Sequence, residues 1–229
     1  MSKKALLTKL PVPKNWMIWV LVSLGFALAS GFAGTNSAVL AGEFEFDKTI
    51  NASGSGILNK LAVFASDVYS PKWAIVLILV LAVAIWLVTK SRIDAFGFLA
   101  IVGAGWLPAE VFKLSFNEPR PDASVLVNHG LLPKEIDSAF PSGHLCFALA
   151  IGYAIYLLTR HTKAKNLMLA FWIVSTIVMG WARLYVGVHY LNDLAGSLFT
   201  SFAGVTLLAY LWNKWLFAAI TKIRFFRQP

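Results

Sequence analysis

Residues 73–89 read WAIVLILVLAVAIWLVT, a run without a single Asp, Glu, Lys or Arg. A helix of about 20 apolar residues, with a range of roughly 17–25, crosses the hydrocarbon core of a bilayer, so this run reads as a membrane span. Further stretches free of those four residue types lie at 15–42, 95–109, 145–159, 166–182 and 194–213. The 95–109 and 145–159 runs are short for a span, but Lys113 and His144 at their ends are polar groups suited to the interface. The chain therefore reads as all-α: an integral membrane bundle of six transmembrane helices, forming a single domain over 1–229 with no clear repeat and no low-complexity linker. Composition agrees, because 58% of residues are hydrophobic and only 14% charged. One soluble core of this size does not hide so much apolar surface.

The basic residues orient the bundle. With the N-terminus inside, the inner segments hold Lys3, Lys4, Lys9, Lys14, Lys90, Arg92, Arg160, Lys163, Lys165, Lys214, Lys222, Arg224 and Arg227. The outer segments hold Lys48, Lys60, Lys72, Lys113, Arg120, Lys134 and Arg183, while nearly every acidic residue falls outside. The positive-inside rule then predicts N- and C-termini in the cytoplasm. The formal charge of +9 sits in short cytoplasmic caps, where it orients helices and meets anionic membrane lipids, and does not make a nucleic-acid surface. The one cysteine, Cys146, excludes an internal disulfide and any CxxC motif, leaving a packing role. Lysines followed by Trp16–Ala29 also resemble a signal peptide; the uncharged run continues past that point, favouring an uncleaved first helix. Between the first two spans, residues 43–72 place Ile57, Leu61, Phe64 and Ala65 at helical spacing. That pattern fits a helix lying on the bilayer surface or one packed on the bundle.

Three short stretches at the ends of these runs carry residue types that phosphate chemistry uses. The first is Lys113–Pro121, KLSFNEPRP. Pro119 and Pro121 bracket Arg120 and hold it extended, with Lys113 at the end of the third span. The second is Pro141–His144, PSGH, followed at once by an apolar run. Ser142 suits the N-cap, Gly143 admits an anion close to the backbone, and the exposed N–H groups of the next helix point at it. The third is Arg183–Asp193, RLYVGVHYLND. His189 and Asp193 are spaced i, i+4, so on a helical turn they share a face. A carboxylate on one imidazole nitrogen fixes the tautomer and leaves the other free as a nucleophile. A capping His–Asp pair is the structural alternative, weakened by Arg183, which offers a planar fork to phosphate oxygens.

Together, KLSFNEPRP, FPSGH and ARLYVGVHYLND resemble the tripartite signature of the type 2 phosphatidic acid phosphatase family: Lys-six residues-Arg-Pro, Pro-Ser-Gly-His, and Ser-Arg-five residues-His-three residues-Asp. The spacings match in order over 113–193, and the six-span plan extends the likeness over most of the chain. The resemblance implies hydrolysis without metal or cofactor, through a phosphohistidine. Carried over by position, His189 attacks phosphorus, Asp193 orients it, and His144 protonates the leaving oxygen and then activates water. Lys113, Arg120, Ser142, Gly143 and Arg183 hold the phosphoryl oxygens. Two departures stand out. Ala182 replaces the family's serine, and Glu118 stands where many relatives have another arginine. Glu118 is expected to orient Arg120 or to reduce charge in the pocket, and Glu110 to pair with Lys113.

The expected function is a lipid phosphatase, a multi-pass protein of a bacterial inner membrane, with its site on the outer, periplasmic side. Its substrate would be a phosphorylated lipid such as undecaprenyl pyrophosphate, phosphatidylglycerophosphate or phosphatidic acid. The alternatives are a lipid phosphotransferase using the same phosphohistidine, or a non-catalytic lipid-phosphate carrier. The carrier reading is the weaker, since transporters place their polar groups near the bilayer midplane.

Overall fold

A computed structural model describes residues 5–133 and 135–226; Lys3, Lys4, Lys134 and Arg227 lie outside the described residues. The helices are α1 (Trp16–Ala33), α2 (Ser37–Ala52), α3 (Gly56–Val68), α4 (Pro71–Thr89), α5 (Arg92–Phe116), α6 (Gly143–Thr159), α7 (Lys165–Tyr185) and α8 (Leu191–Leu211). Helix α8 runs on through a π-helical turn, Trp212–Leu216, to Lys222. Among the described residues there is no strand, as the apolar runs lead one to expect. Among the described residues five helical stretches are long and apolar enough to cross a membrane: within α1, α4, α5 and α7, and over α8 with its continuation to Lys222. Helix α6 is apolar but shorter, at 17 residues.

The first span ends earlier than its uncharged run. Helix α1 stops at Ala33, and a new helix begins at Ser37. Asn36 starts it: its side-chain oxygen accepts from the backbone N–H of Ala38 at 2.9 Å and of Val39 at 3.4 Å, an N-cap that charge counting does not see. In α3 the apolar face foreseen from spacing splits. Ile57, Leu61 and Phe64 are exposed, whereas Ala62, Ala65 and Ser66 are buried against α7.

The long helices alternate between two ends of the bundle. At one end the N-terminal segment is strapped down. Leu7 N–H donates to Asp94 at 2.8 Å, Trp212 Nε1–H donates to the Leu7 carbonyl at 2.9 Å, and Leu10 exchanges two hydrogen bonds with Asn213. Arg160 donates to Lys9 and Arg92 to Phe225 at the same end. Both described termini and the 90–92 and 160 turns therefore meet there. The start of α6, the ends of α5 and α7 and the start of α8 meet at the other end, where the three motifs lie.

Small residues set how closely the helices approach. A side chain on Gly105 would meet Ala150, and one on Gly152 would meet Trp172, so α6 nests between α5 and α7. The closest approach is Gly204 of α8 on Ala104 of α5. Pro108 supplies no N–H to the Ala104 carbonyl four residues back, and a Cβ on Gly204 would fall 2.0 Å from that oxygen. The proline thus opens a notch that only glycine fits. Near the motif end, Phe140 is fully buried and occupies the space a side chain on Gly196 would need. It also meets Phe116 edge-on at 5.2 Å and Phe112 at 6.0 Å. One aromatic ring therefore ties the end of α5, the approach to PSGH and the first turns of α8 together.

Gly204→Val should force α8 away from α5. Overpacking of this kind costs about 1–3 kcal/mol, read as a lower Tm of the detergent-solubilised protein.

Candidate active site

The first motif leaves α5 at Asn117, which adopts a left-handed conformation (φ 44°). Glu118 then pairs with the strand-like approach to the second motif: its N–H donates to Ser138 Oγ at 2.9 Å, and its carbonyl accepts from Ala139 N–H at 2.9 Å. This short pairing sets Arg120 beside the third motif. Arg120 Nη1 donates to the Val188 carbonyl at 2.7 Å and lies 3.2 Å from His189 Nε2. Gly187, at φ 67°, makes the turn that delivers His189; a side chain there would collide with Leu126.

His189 is buried and lies before α8 rather than on it. It still meets Asp193, at 3.1 Å from Nδ1 to Oδ2, because the Asp193 side chain reaches back over the helix start. The same oxygen accepts from Tyr190 N–H at 2.9 Å, so one carboxylate oxygen caps the helix and orients the ring. Burial, and then the positive charges of Arg120, Arg183 and Lys113, hold the His189 imidazole well below its usual range. It is neutral at neutral pH. With Nδ1–H given to Asp193, Nε2 carries the lone pair and accepts from Arg120.

Lys113, Arg120, Gly143, His144, Arg183 and His189 line one cavity of about 570 Å³. Asp193 lies behind His189. Ser142 is fully buried and stands at the N-cap of α6, but its hydroxyl does not cap the helix and has no partner among the described residues. Its carbonyl accepts from Cys146 N–H and Ser197 Oγ–H, both at 3.1 Å. Arg183 is fully buried, and its Nε and Nη1 lack partners among the described residues. These are donors aimed at something the polypeptide does not itself supply.

Two acidic assignments differ from the sequence reading. Lys113 bonds Asp137 at 2.7 Å and the Ser138 carbonyl, and does not pair with Glu110. Arg120 bonds Asp137 at 2.7 Å and Glu135 at 2.8 Å, and Arg183 bonds the other Glu135 oxygen. Glu118 turns away from Arg120 and toward Asn192. Two carboxylates from the 131–139 loop thus rest on all three cations of the cavity. Burial pushes the Asp137 carboxyl up, but hydrogen bonds and charge from Lys113 and Arg120 outweigh it and hold it at about 2. Spacing gave no sign of Glu135 or Asp137; their place in a long loop joining two motifs was the available signal.

A buried His–Asp pair thus lies beside a cluster of cations at one end of a bundle of apolar helices. The PAP2 superfamily profile matches residues 94–217. The chain is 34% identical to an undecaprenyl-diphosphatase, BcrC, of Bacillus subtilis over 63% of its own length and 69% of the relative. It is 26% identical to phosphatidylglycerophosphatase B of the same organism, over 61% and 68% respectively. In fold it resembles the crystal structure of a transmembrane PAP2-type phosphatidylglycerolphosphate phosphatase from Bacillus subtilis, with TM-score 0.68 and 23% identity over 91% of this chain and 98% of that one. Aquifex aeolicus LpxE aligns with TM-score 0.57 and 20% identity over 76% and 95%. The chain belongs to the PAP2 superfamily, and it is a membrane phosphatase of the lipid phosphate and diphosphate class.

Gly187→Ala should reduce phosphatase activity at least ~10-fold and lower Tm. A left-handed backbone costs a non-glycine residue about 1–2 kcal/mol, and relief of the Leu126 clash moves His189.

Proposed function

We propose that this protein hydrolyses a polyprenyl diphosphate, undecaprenyl diphosphate first among its candidates, through a phosphohistidine on His189 and without a metal. The observation that carries the reading is the orientation of His189, whose Nδ1 is held by Asp193 while Nε2 faces the cavity's cations. In this reading Nε2 attacks phosphorus, the P–O bond to the leaving group breaks, and His144 protonates the departing oxygen. His144 then takes a proton from water as that water displaces the histidine. Lys113, Arg120, Arg183, Ser142 Oγ and the Gly143 end of α6 hold the phosphoryl oxygens, where charge stabilisation dominates the barrier.

The lipid tail has a place to lie. Ala74, Ile75 and Ile78 of α4, Trp106 of α5 and Phe147 of α6 form the apolar wall of the same cavity. A second cavity of about 950 Å³ lies across Arg120, Glu135 and Asp137, lined by the 117–138 loop, and would admit water and release phosphate. The diphosphate assignment draws on the BcrC likeness; phosphatidylglycerophosphate and phosphatidic acid are the comparison substrates. For topology we infer six spans, with α6 as the short one. Both termini would be cytoplasmic and the site on the outer face, because the strapped end of the bundle is the end rich in Lys and Arg.

Purified protein should release phosphate from undecaprenyl diphosphate faster than from the other two lipids, in chelator-containing micelles. His189→Ala should abolish release. Arg183→Ala should lower kcat by roughly 10²–10³, the usual effect of losing one oxyanion donor. Full activity in His189→Ala, or transfer of phosphate to a lipid acceptor with little free phosphate, would overturn the reading.

Glu135 and Asp137 occupy the cations that phosphate would need. Glu135→Gln should therefore strengthen inhibition by inorganic phosphate about 10-fold, near 1.4 kcal/mol, measured as a lower half-inhibitory concentration.

A further inference from the structure

Behind the His189–Asp193 pair lies a second carboxyl group with no assigned part in the reaction. Glu118 is buried, and its Oε1 has no hydrogen-bond partner. Asp193 is buried too, and its Oδ1 likewise lacks a donor. The two carboxyls lie within hydrogen-bonding reach of each other. Among the described residues neither oxygen has a donor, and a proton shared between the two carboxyls would satisfy both.

The surroundings say where that proton sits. Asp193 Oδ2 already accepts from His189 Nδ1–H and Tyr190 N–H, and Asp193 stands in the first turn of α8, where the helix dipole favours negative charge. Glu118 Oε2 has only Asn192 Nδ2–H, at 3.5 Å. The charge belongs on Asp193 and the proton on Glu118. The position is also built for this side chain. A Cβ on Gly34, just past α1, would fall 1.7 Å from Glu118 Oε2 and 2.8 Å from Asn192 Nδ2. Asn192 is held in turn by the Ser30 carbonyl and by Glu43, which accepts from its N–H.

From this geometry we propose that Glu118 is a positioning residue: in its protonated form it donates to Asp193 Oδ1, so that Oδ2 is fixed on His189. The inference rests on His189 being the nucleophile. Glu118 thereby extends the His–Asp pair to a His–Asp–Glu chain.

The groups around Glu118 favour the neutral acid. Asp193 faces it from α8 and Glu43 acts on it from α2; Asp47 of α2, itself pushed up to about 8 by burial, and Tyr190, on the turn before α8, are the other titratable neighbours. Arg120 is two residues away on its own loop, committed to Glu135, Asp137 and Val188. Burial first, and then the Asp193 charge and hydrogen bond, push the Glu118 carboxyl up to about 9. With the pKa raised, the proton is present below that pH and lost above it, and the ionised Glu118 then repels Asp193.

The test compares Glu118→Gln and Glu118→Ala with the parent enzyme, with His189→Ala as control and Tm confirming that each variant is folded. An amide N–H of the glutamine replaces the acid O–H and does not titrate. Glu118→Ala should lower kcat ~10–100-fold with KM within ~2-fold. Glu118→Gln should keep kcat within ~3-fold and lose the fall in kcat that the parent shows as pH rises through about 9. Unimpaired Glu118→Ala, a folded Glu118→Gln as weak as Glu118→Ala, or an unchanged alkaline limb in Glu118→Gln would each overturn the proposal. Activity in His189→Ala would instead overturn the nucleophile assignment beneath it.

Discussion

Lys113, Arg120 and Arg183 converge on one cavity at the end of an apolar bundle, and Glu135 and Asp137 are the charges that let them stay there. Buried like charges repel and lose hydration, and unpaired they would force the cavity open or shift its chemistry. Two carboxylates from a single loop meet all three cations. The arrangement preorganises the clamp in the geometry of an anion. In the proposed reading, a phosphoryl group bringing similar charge and oxygens would replace the carboxylates with little rearrangement of the arginines. Some binding energy is spent on displacing them, which favours ligands whose charge exceeds that of a lone carboxylate.

The clamp depends on packing several residues away. Arg120 is positioned by the pairing of Glu118 with Ser138 and Ala139, and that pairing is fixed because Phe140 fills the space above Gly196. The first turns of α8, against which Phe140 rests, also hold Asp193. The residue that orients His189 and the loop that supplies the clamp thus share one packing contact. A shift of either moves both.

Asp193 is at once a helix cap, an orienting acid and one half of a carboxyl pair. Local sequence explains the first two functions. Its third depends on Glu118, 75 positions upstream, and on Gly34, which leaves room for it. The acidic residues of α2 lie on the same side, opposite the cations of the cavity, and burial pushes the Asp47 carboxyl up to about 8 and raises that of Glu43. His189 therefore lies between the cations of the cavity and a group of buried carboxyls; burial and the cations keep its ring neutral, and Asp193 holds it in place.

Much of this was legible in the chain. Uncharged runs located the long helices, and the motif spacings singled out the residues that line the cavity, because both signals are local: a helix repeats every few residues, and His189 reaches Asp193 four positions on. Ends of elements were less legible. Asn36 capped a new helix inside an uncharged run, and Ser142 stood at an N-cap without using its hydroxyl to cap. The acidic partners were not legible at all. Glu110, three residues from Lys113, and Glu118, two from Arg120, looked like their counter-charges, yet Asp137 and Glu135 took those places. Sequence by itself determined the long apolar helices and the motif residues that gather at one end of them. Tertiary structure alone decided which carboxylates face which charges, because that choice follows the path of the 117–142 loop, set by where Phe140 finds room against α8.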